Sequence, residues 1–183
     1  MIKIGYNNSS KHFGSPTHFE KPDRLNFCVS RLKNELTDKD YFIQIPTSKN
    51  LFQLIQIAKL VHPDKYIETM RDFESTSFIC RNCKIKNLSK NSQTLNSFII
   101  NNERCTHCSN PFNLDNVYCH TTPDTFYTGY TFYVAMDAIG VVSDLLDTMI
   151  LDKIKYTFAF IYVYINLTKV SFYYFYFYVY KPQ

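Results

Sequence analysis

The sequence predicts an α/β fold carrying a small cysteine-bearing insertion. Three observations lead there. Apolar residues recur at helical spacing in four separate segments. Short alternating or apolar runs, too brief for helices, fall between and around them. Two Cys-x-x-Cys pairs stand in a polar stretch that interrupts the pattern.

The elements follow in order. Residues 1–6 read as a strand, Ile2 and Ile4 alternating with Lys3. A polar loop rich in His, Pro and Ser runs from Asn7 to Arg24. Leu25 to Leu36 is an amphipathic helix with Leu25, Cys28, Val29, Leu32 and Leu36 on its apolar face, which predicts a core position for Cys28. Tyr41-Phe-Ile is a short strand. Ser48 to Leu60 forms a second helix, with Leu51, Leu54, Ile55, Ala58 and Val61 on one face, and Pro63 opens a third that ends near Phe73. Thr131 to Leu151 holds the strongest helical pattern, with Val134, Ala138, Val141, Val142, Leu145, Leu146 and Met149. Tyr156-Thr-Phe-Ala-Phe-Ile161 reads as a strand.

Between the third and fourth helices, residues 75–116 are polar and hold four of the six cysteines. Cys80-Arg-Asn-Cys83 and Cys105-Thr-His-Cys108 are separated by 21 residues. A two-residue gap lets one tight turn aim two thiolates at one ion, and two such turns on a hairpin close a tetrahedron. The expectation is a structural zinc ribbon with Cys80, Cys83, Cys105 and Cys108 as ligands. His107 is a spacer, and four thiolates leave no open position for catalysis. Cys119 reads as a buried thiol.

Composition bounds the function. Twenty basic and 16 acidic side chains give a net charge of +4, too weak and too dispersed to argue for nucleic acid. Met1-Ile-Lys-Ile-Gly-Tyr has no signal-peptide architecture, so an intracellular chain with reduced cysteines is expected. Tyr and Phe make up 31 of the 183 residues, and 13 of them crowd into residues 156–180. That aromatic tail is long enough to span a bilayer, yet Lys169 and Asn166 near its middle argue against a span. Alternation at Phe158, Phe160, Tyr162 and Tyr164 favours strand, and Phe172 to Tyr180 would aggregate if exposed.

Three segments outside the ribbon resemble the N-terminal part of the histone deacetylase and acetylpolyamine amidohydrolase family. His18-Phe-Glu-Lys-Pro-Asp-Arg-Leu25 is similar to an early His-Pro-Glu-x-Pro-x-Arg-Leu motif, with Phe19 in place of Pro. Val61-His-Pro-Asp-Lys-Tyr-Ile-Glu68 resembles a His-Ser-x-x-Tyr-Ile segment. Asp124-Thr-Phe-Tyr-Thr-Gly-Tyr-Thr-Phe-Tyr-Val-Ala-Met-Asp-Ala-Ile-Gly-Val-Val142 resembles Asp-Thr-Tyr-x-Thr-Pro-x-Thr-Phe-x-Val-Ala followed by an Ala-x-Gly-x-Val helix, with Gly129 in place of Pro.

The resemblance implies the first portion of a three-layer parallel-sheet arginase/deacetylase-like fold. Residues 1–74 and 117–161 would belong to it, 75–116 would be an inserted ribbon, and 162–183 an aromatic low-complexity tail. It implies zinc-dependent hydrolysis of acetyl-lysine-type amides, with an acetylated protein or polyamine as partner. It makes Asp124 a rim carboxylate that receives substrate backbone hydrogen bonds, or else a helix or turn cap. It puts His18 and Arg24 in a loop near the active-site floor, or leaves them a satisfied loop His and a surface Arg. The family's catalytic zinc ligands and adjacent His pair lie beyond the strand matched by Tyr156–Ile161, and no His follows His120 in this sequence. His120, in a polar loop, is not expected to act as a base. The change of composition near Ile161 reads as a frameshift, an unspliced intron or a split gene. The expectation is a deacetylase-like chain inactive alone, its missing half absent or supplied by a partner chain. The alternatives are a ribbon that binds protein or nucleic acid, and a membrane-associated protein using the tail.

Overall fold

The computed structural model describes residues 2–7, 22–36, 41–44, 47–122, 125–154, 156–161, 166–167, 170–171 and 177–180. The chain is mixed α/β, with one mainly parallel sheet and one antiparallel sheet.

The first sheet is built on β1 (Ile2–Tyr6). It pairs in parallel with β2 (Tyr41–Gln44) on one side and with β7 (Tyr156–Phe160) on the other. Ile2 sits opposite both Tyr41 and Tyr156. The aromatic tail contributes β10 (Phe177–Tyr180), antiparallel to β7, so the order is β10-β7-β1-β2. Two further short tail strands, β8 (Asn166–Leu167) and β9 (Val170–Ser171), pair with each other. The described part of the tail is strand, in keeping with its β-propensity, while Tyr162 and Tyr164 of the alternating run lie outside the described residues.

Alternate residues of β1 face opposite sides, and each side carries a helix. Tyr6 packs against Leu25 and Val29 of α1 (Pro22–Glu35). On the other face, Gly5 lies under Val141 and Leu145 of α5 (Thr131–Leu151), beside Ala159 of β7. A Cβ on Gly5 would sit 2.7 Å from the Val141 Cγ1, so glycine sets the close approach of helix to strand. Lys3, on the same face, reaches Asp152 just past the end of α5 at 2.7 Å.

Helices α2 (Leu51–Lys59) and α3 (Asp64–Arg71) pack on the first half of α5 through Leu54, Ala58, Ile67, Met70, Phe132 and Met136. Asn50 starts α2 with a reciprocal cap: its side chain accepts the Gln53 N–H, and the Gln53 side chain accepts the Asn50 N–H. Just before it, buried Asp144 of α5 accepts the Ser48 N–H at 2.6 Å, the Ser48 hydroxyl at 2.9 Å and the Lys49 ammonium at 2.7 Å.

The second sheet runs β4-β3-β5-β6, all antiparallel: β3 (Glu74–Cys80), β4 (Lys86–Thr94), β5 (Val117–Thr122) and β6 (Thr125–Thr128). A one-and-a-half-turn helix, α4 (Leu95–Ile100), lies over it, capped by the Thr94 hydroxyl. Residues 75–116 thus do not pair only among themselves. Their strand β3 continues into β5 and β6, which lead directly into α5.

Core expectations are corrected at Leu51, Val61 and Leu146, which are exposed although read on apolar helix faces, and at Cys28. Cys28 is exposed, while Leu25 and Val29 are buried. The pair that docks is Leu25 and Val29, packed with Tyr6, and Cys28 falls at its edge.

Candidate metal centre

The two Cys-x-x-Cys pairs form two copies of one turn. In each, the first cysteine's N–H donates to a carbonyl five residues on. The distances are Cys80 to Ile85 3.0 Å and Cys105 to Asn110 3.0 Å. In each, the N–H four residues on donates back to the first cysteine's carbonyl, Lys84 to Cys80 at 2.7 Å and Ser109 to Cys105 at 2.9 Å. Closing that turn takes a left-handed residue at the fourth position, and Lys84 (φ 64°) and Ser109 (φ 59°) both adopt it. The turn folds backbone N–H groups inward, toward sulfur.

The four Sγ atoms all lie within 4.8 Å of one another. Cys83 and Cys105 are 3.4 Å apart, and Cys80 and Cys108 3.7 Å apart. Metal–sulfur bonds of about 2.3 Å place tetrahedral corners about 3.8 Å apart, so the cage has the size of a four-thiolate metal site. All four are free thiols. Cys80 and Cys105 are buried, and Cys83 and Cys108 are half-buried. This is the one group of three or more potential ligands that close together among the described residues.

Electrostatics favour a cation. Burial pushes the Cys105 thiol up, but the N–H groups of Cys108 and His107, the Cys83 thiol and the Asn87 amide draw it down to about 6. Cys83 receives the Ile85 N–H, yet burial and the other three sulfurs push it up to about 12. Cys108 receives the Asn110 N–H and is likewise raised, by burial and by Cys105 and Cys80. Without an ion Cys83, Cys105 and Cys108 therefore compete to be the one thiolate. A divalent ion removes that competition and lets the remaining protons leave. A tetrathiolate around a divalent ion carries a net charge of about −2. Residues 74–116 hold five basic and three acidic side chains, an excess that offsets this charge.

The cage stands on its own core. Phe78, Phe98 and Phe112 stack behind Cys80 and Cys105, with ring centroids 4.1 and 4.9 Å apart. Val117, Cys119 and Tyr127 extend this core into β5 and β6. The Tyr127 hydroxyl donates to the Met70 carbonyl and ties the ribbon to α3. Cys119 is fully buried, and burial pushes its thiol up to about 12, so it stays protonated.

The remaining candidates are scattered. His18 and Asp124 lie outside the described residues. Arg24 is exposed in the first turn of α1. His120 is on strand β5, exposed, with its ring edge-on to Tyr118 at 5.8 Å. His107 is an exposed spacer whose N–H serves Cys105.

One residue of the centre is invisible to motif reading. Asn87, only 3% exposed, lies between the two turns and hydrogen-bonds to both. No spacing rule points to it, and in the sequence it is one more polar residue beside Lys86 and Ser89.

Among the described residues, no helix is long and apolar enough to cross a membrane. No family model, curated protein or solved structure matches the chain.

Proposed function

We propose that this chain is a deacetylase-like α/β protein in which a four-cysteine ribbon holds a structural zinc ion. The observation that carries the metal reading is the pair of congruent turns with four sulfurs inside 4.8 Å. Zinc is the ion that fits best: four thiolates at tetrahedral spacing, with no oxygen ligand and no open position, suit its size and softness. Its role is to hold together a segment whose aromatic core is small.

The deacetylase reading rests on the three ordered sequence segments. Two features of the fold agree with it. The strand before the expected catalytic motif is β7, next to central β1 in the parallel sheet. The Ala138-Ile-Gly-Val-Val142 segment lies in the helix that covers both strands. Amide hydrolysis needs a metal-bound water and a base within hydrogen-bond reach of it. The 183 residues hold no His beyond His120, so the reading assigns no catalytic base or catalytic zinc ligand to them. The substrate class would be acetylated lysine or polyamine.

Two measurements test this on the full chain. Elemental analysis is expected to find about one zinc per chain, lost in Cys80→Ser. A metal-free protein that folds normally removes the ribbon reading. Acetyl-lysine peptide hydrolysis is expected to stay at background with the chain alone. Robust turnover by the purified chain overturns the reading that it is inactive alone.

A further inference from the structure

The proposal of a bound zinc leaves open what aligns the two turns, which are 21 residues apart in sequence and belong to different parts of the ribbon. The Asn87 side chain sits between them. Its Oδ1 accepts the Thr106 N–H at 2.7 Å and the Thr106 hydroxyl at 3.0 Å, both in the second turn. Its Nδ2 donates to the Ile85 carbonyl at 2.9 Å, in the first turn, and points its other hydrogen at the Cys105 Sγ, 3.7 Å away. Both donors and both acceptor positions of the amide are used.

The orientation of the amide is set by its neighbours. Ile85 O and the sulfur demand donors, while the Thr106 N–H demands an acceptor, so only one flip satisfies all of them. Asp in this place would turn an oxygen toward a carbonyl and a thiolate. Leu would leave a buried N–H and a buried carbonyl without partners. The position is 3% exposed, so water cannot substitute.

We infer that Asn87 is the positioning residue of the metal centre: it locks the two turns in register and donates to the Cys105 sulfur, and so sets metal affinity. This rests on the zinc reading above. Hydrogen bonds to a ligand atom orient it and tune its donation, and their loss typically weakens binding 10- to 100-fold. Asn87 does this for one ligand while bracing the backbone of the opposite turn.

The test uses the full chain, with cobalt as a spectroscopic stand-in and zinc as competitor. Wild type is expected to show tetrahedral cobalt–thiolate absorption. Asn87→Asp and Asn87→Leu are expected to bind about 10- to 100-fold more weakly, with the sulfur-to-cobalt charge-transfer band shifted. Asn87→Ser repeats the comparison with a small polar group should Leu prevent folding. Leu88→Ser, at an exposed neighbouring position, is expected to leave affinity and spectrum unchanged. A residue that only packs would lower the melting temperature and leave affinity and spectrum alone. That result, with wild type binding metal, overturns the role of Asn87 but keeps the zinc reading. Wild type that binds neither ion overturns both.

Discussion

Lys84 and Ser109 show how far a single residue can depart from its own preference. Each takes a left-handed backbone that costs a residue with a Cβ about 1–2 kcal/mol, and each does so because the turn must point N–H groups at sulfur. Glycine adopts that conformation freely. Lys84→Gly is therefore expected to stabilise the metal-loaded protein by about 0.5–1 kcal/mol, part of the relief being offset by the entropy of the freer unfolded chain. A thermal melt with and without metal checks it, and a loss of stability would mean that the Lys84 side chain contributes more than its backbone costs.

Cys28 and Asn87 mark the limits of reading residues one at a time. Cys28 shares helical spacing with buried neighbours and still faces out, because the width of the docking stripe depends on what lies opposite. Asn87 looks like one more polar residue in a Lys- and Asn-rich run, and the opposite turn folds over it.

At the level of elements, α5 organises the larger half of the molecule. Its Gly140 faces Thr47: an added Cβ would sit 2.3 Å from the Thr47 Oγ1 and 2.4 Å from its Cβ, an atom that cannot swing away. Gly140→Ala would add about 1 kcal/mol of helix propensity in open space. Here it is expected to destabilise by about 1–3 kcal/mol, as overpacking does. Denaturant unfolding decides the sign.

Four residues further on, Asp144 fixes the start of α2. Burial raises its carboxyl, but the Lys49 ammonium and the Ser48 N–H and hydroxyl outweigh that and hold it below its usual 3.8. Burial lowers Lys49 in turn, and Asp144 and Asp147 hold it above its usual value. Because the folded state binds the Asp144 proton more weakly than the unfolded state does, the stabilisation is full above pH 3.8. It is lost as pH falls through the depressed value. Asp144→Asn is expected to cost about 2 kcal/mol at neutral pH, since Lys49 keeps Asp147, and to flatten the acid limb of stability against pH.

The four longer helices and the short parallel strands were legible because each announces itself within its own segment. The antiparallel sheet was not. Strand β4, Lys86-Asn-Leu-Ser-Lys-Asn-Ser-Gln-Thr94, has neither alternation nor β-branched residues apart from its last, and it is extended because β3 pairs with it. The run Ser97-Phe-Ile-Ile, apolar enough for a strand, is helical in α4, because Thr94 caps it and Phe98 turns inward between Phe78 and Phe112.

For the molecule as a whole, among the described residues, the ribbon core meets the α3 and α5 layer through Tyr127 and the β6 strand that feeds α5. Metal removal should therefore act unevenly. Chelation is expected to abolish amide-exchange protection in β3 and β4 while β1 and α5 keep theirs, and to lower the first thermal transition. Uniform loss of protection would show that the two cores fold as one unit.

By itself the sequence determined the α/β class, the helices, the aromatic tail's preference for strand, and four cysteines at metal-binding spacing. Those are statements about neighbours along the chain, where periodicity and short gaps carry the physics. The tertiary structure decided that β3 leaves the ribbon to pair with β5, that Cys28 faces out, and that Asn87 joins the two cysteine turns. Each depends on groups far apart in sequence, and their partners become visible only when the chain has closed on itself.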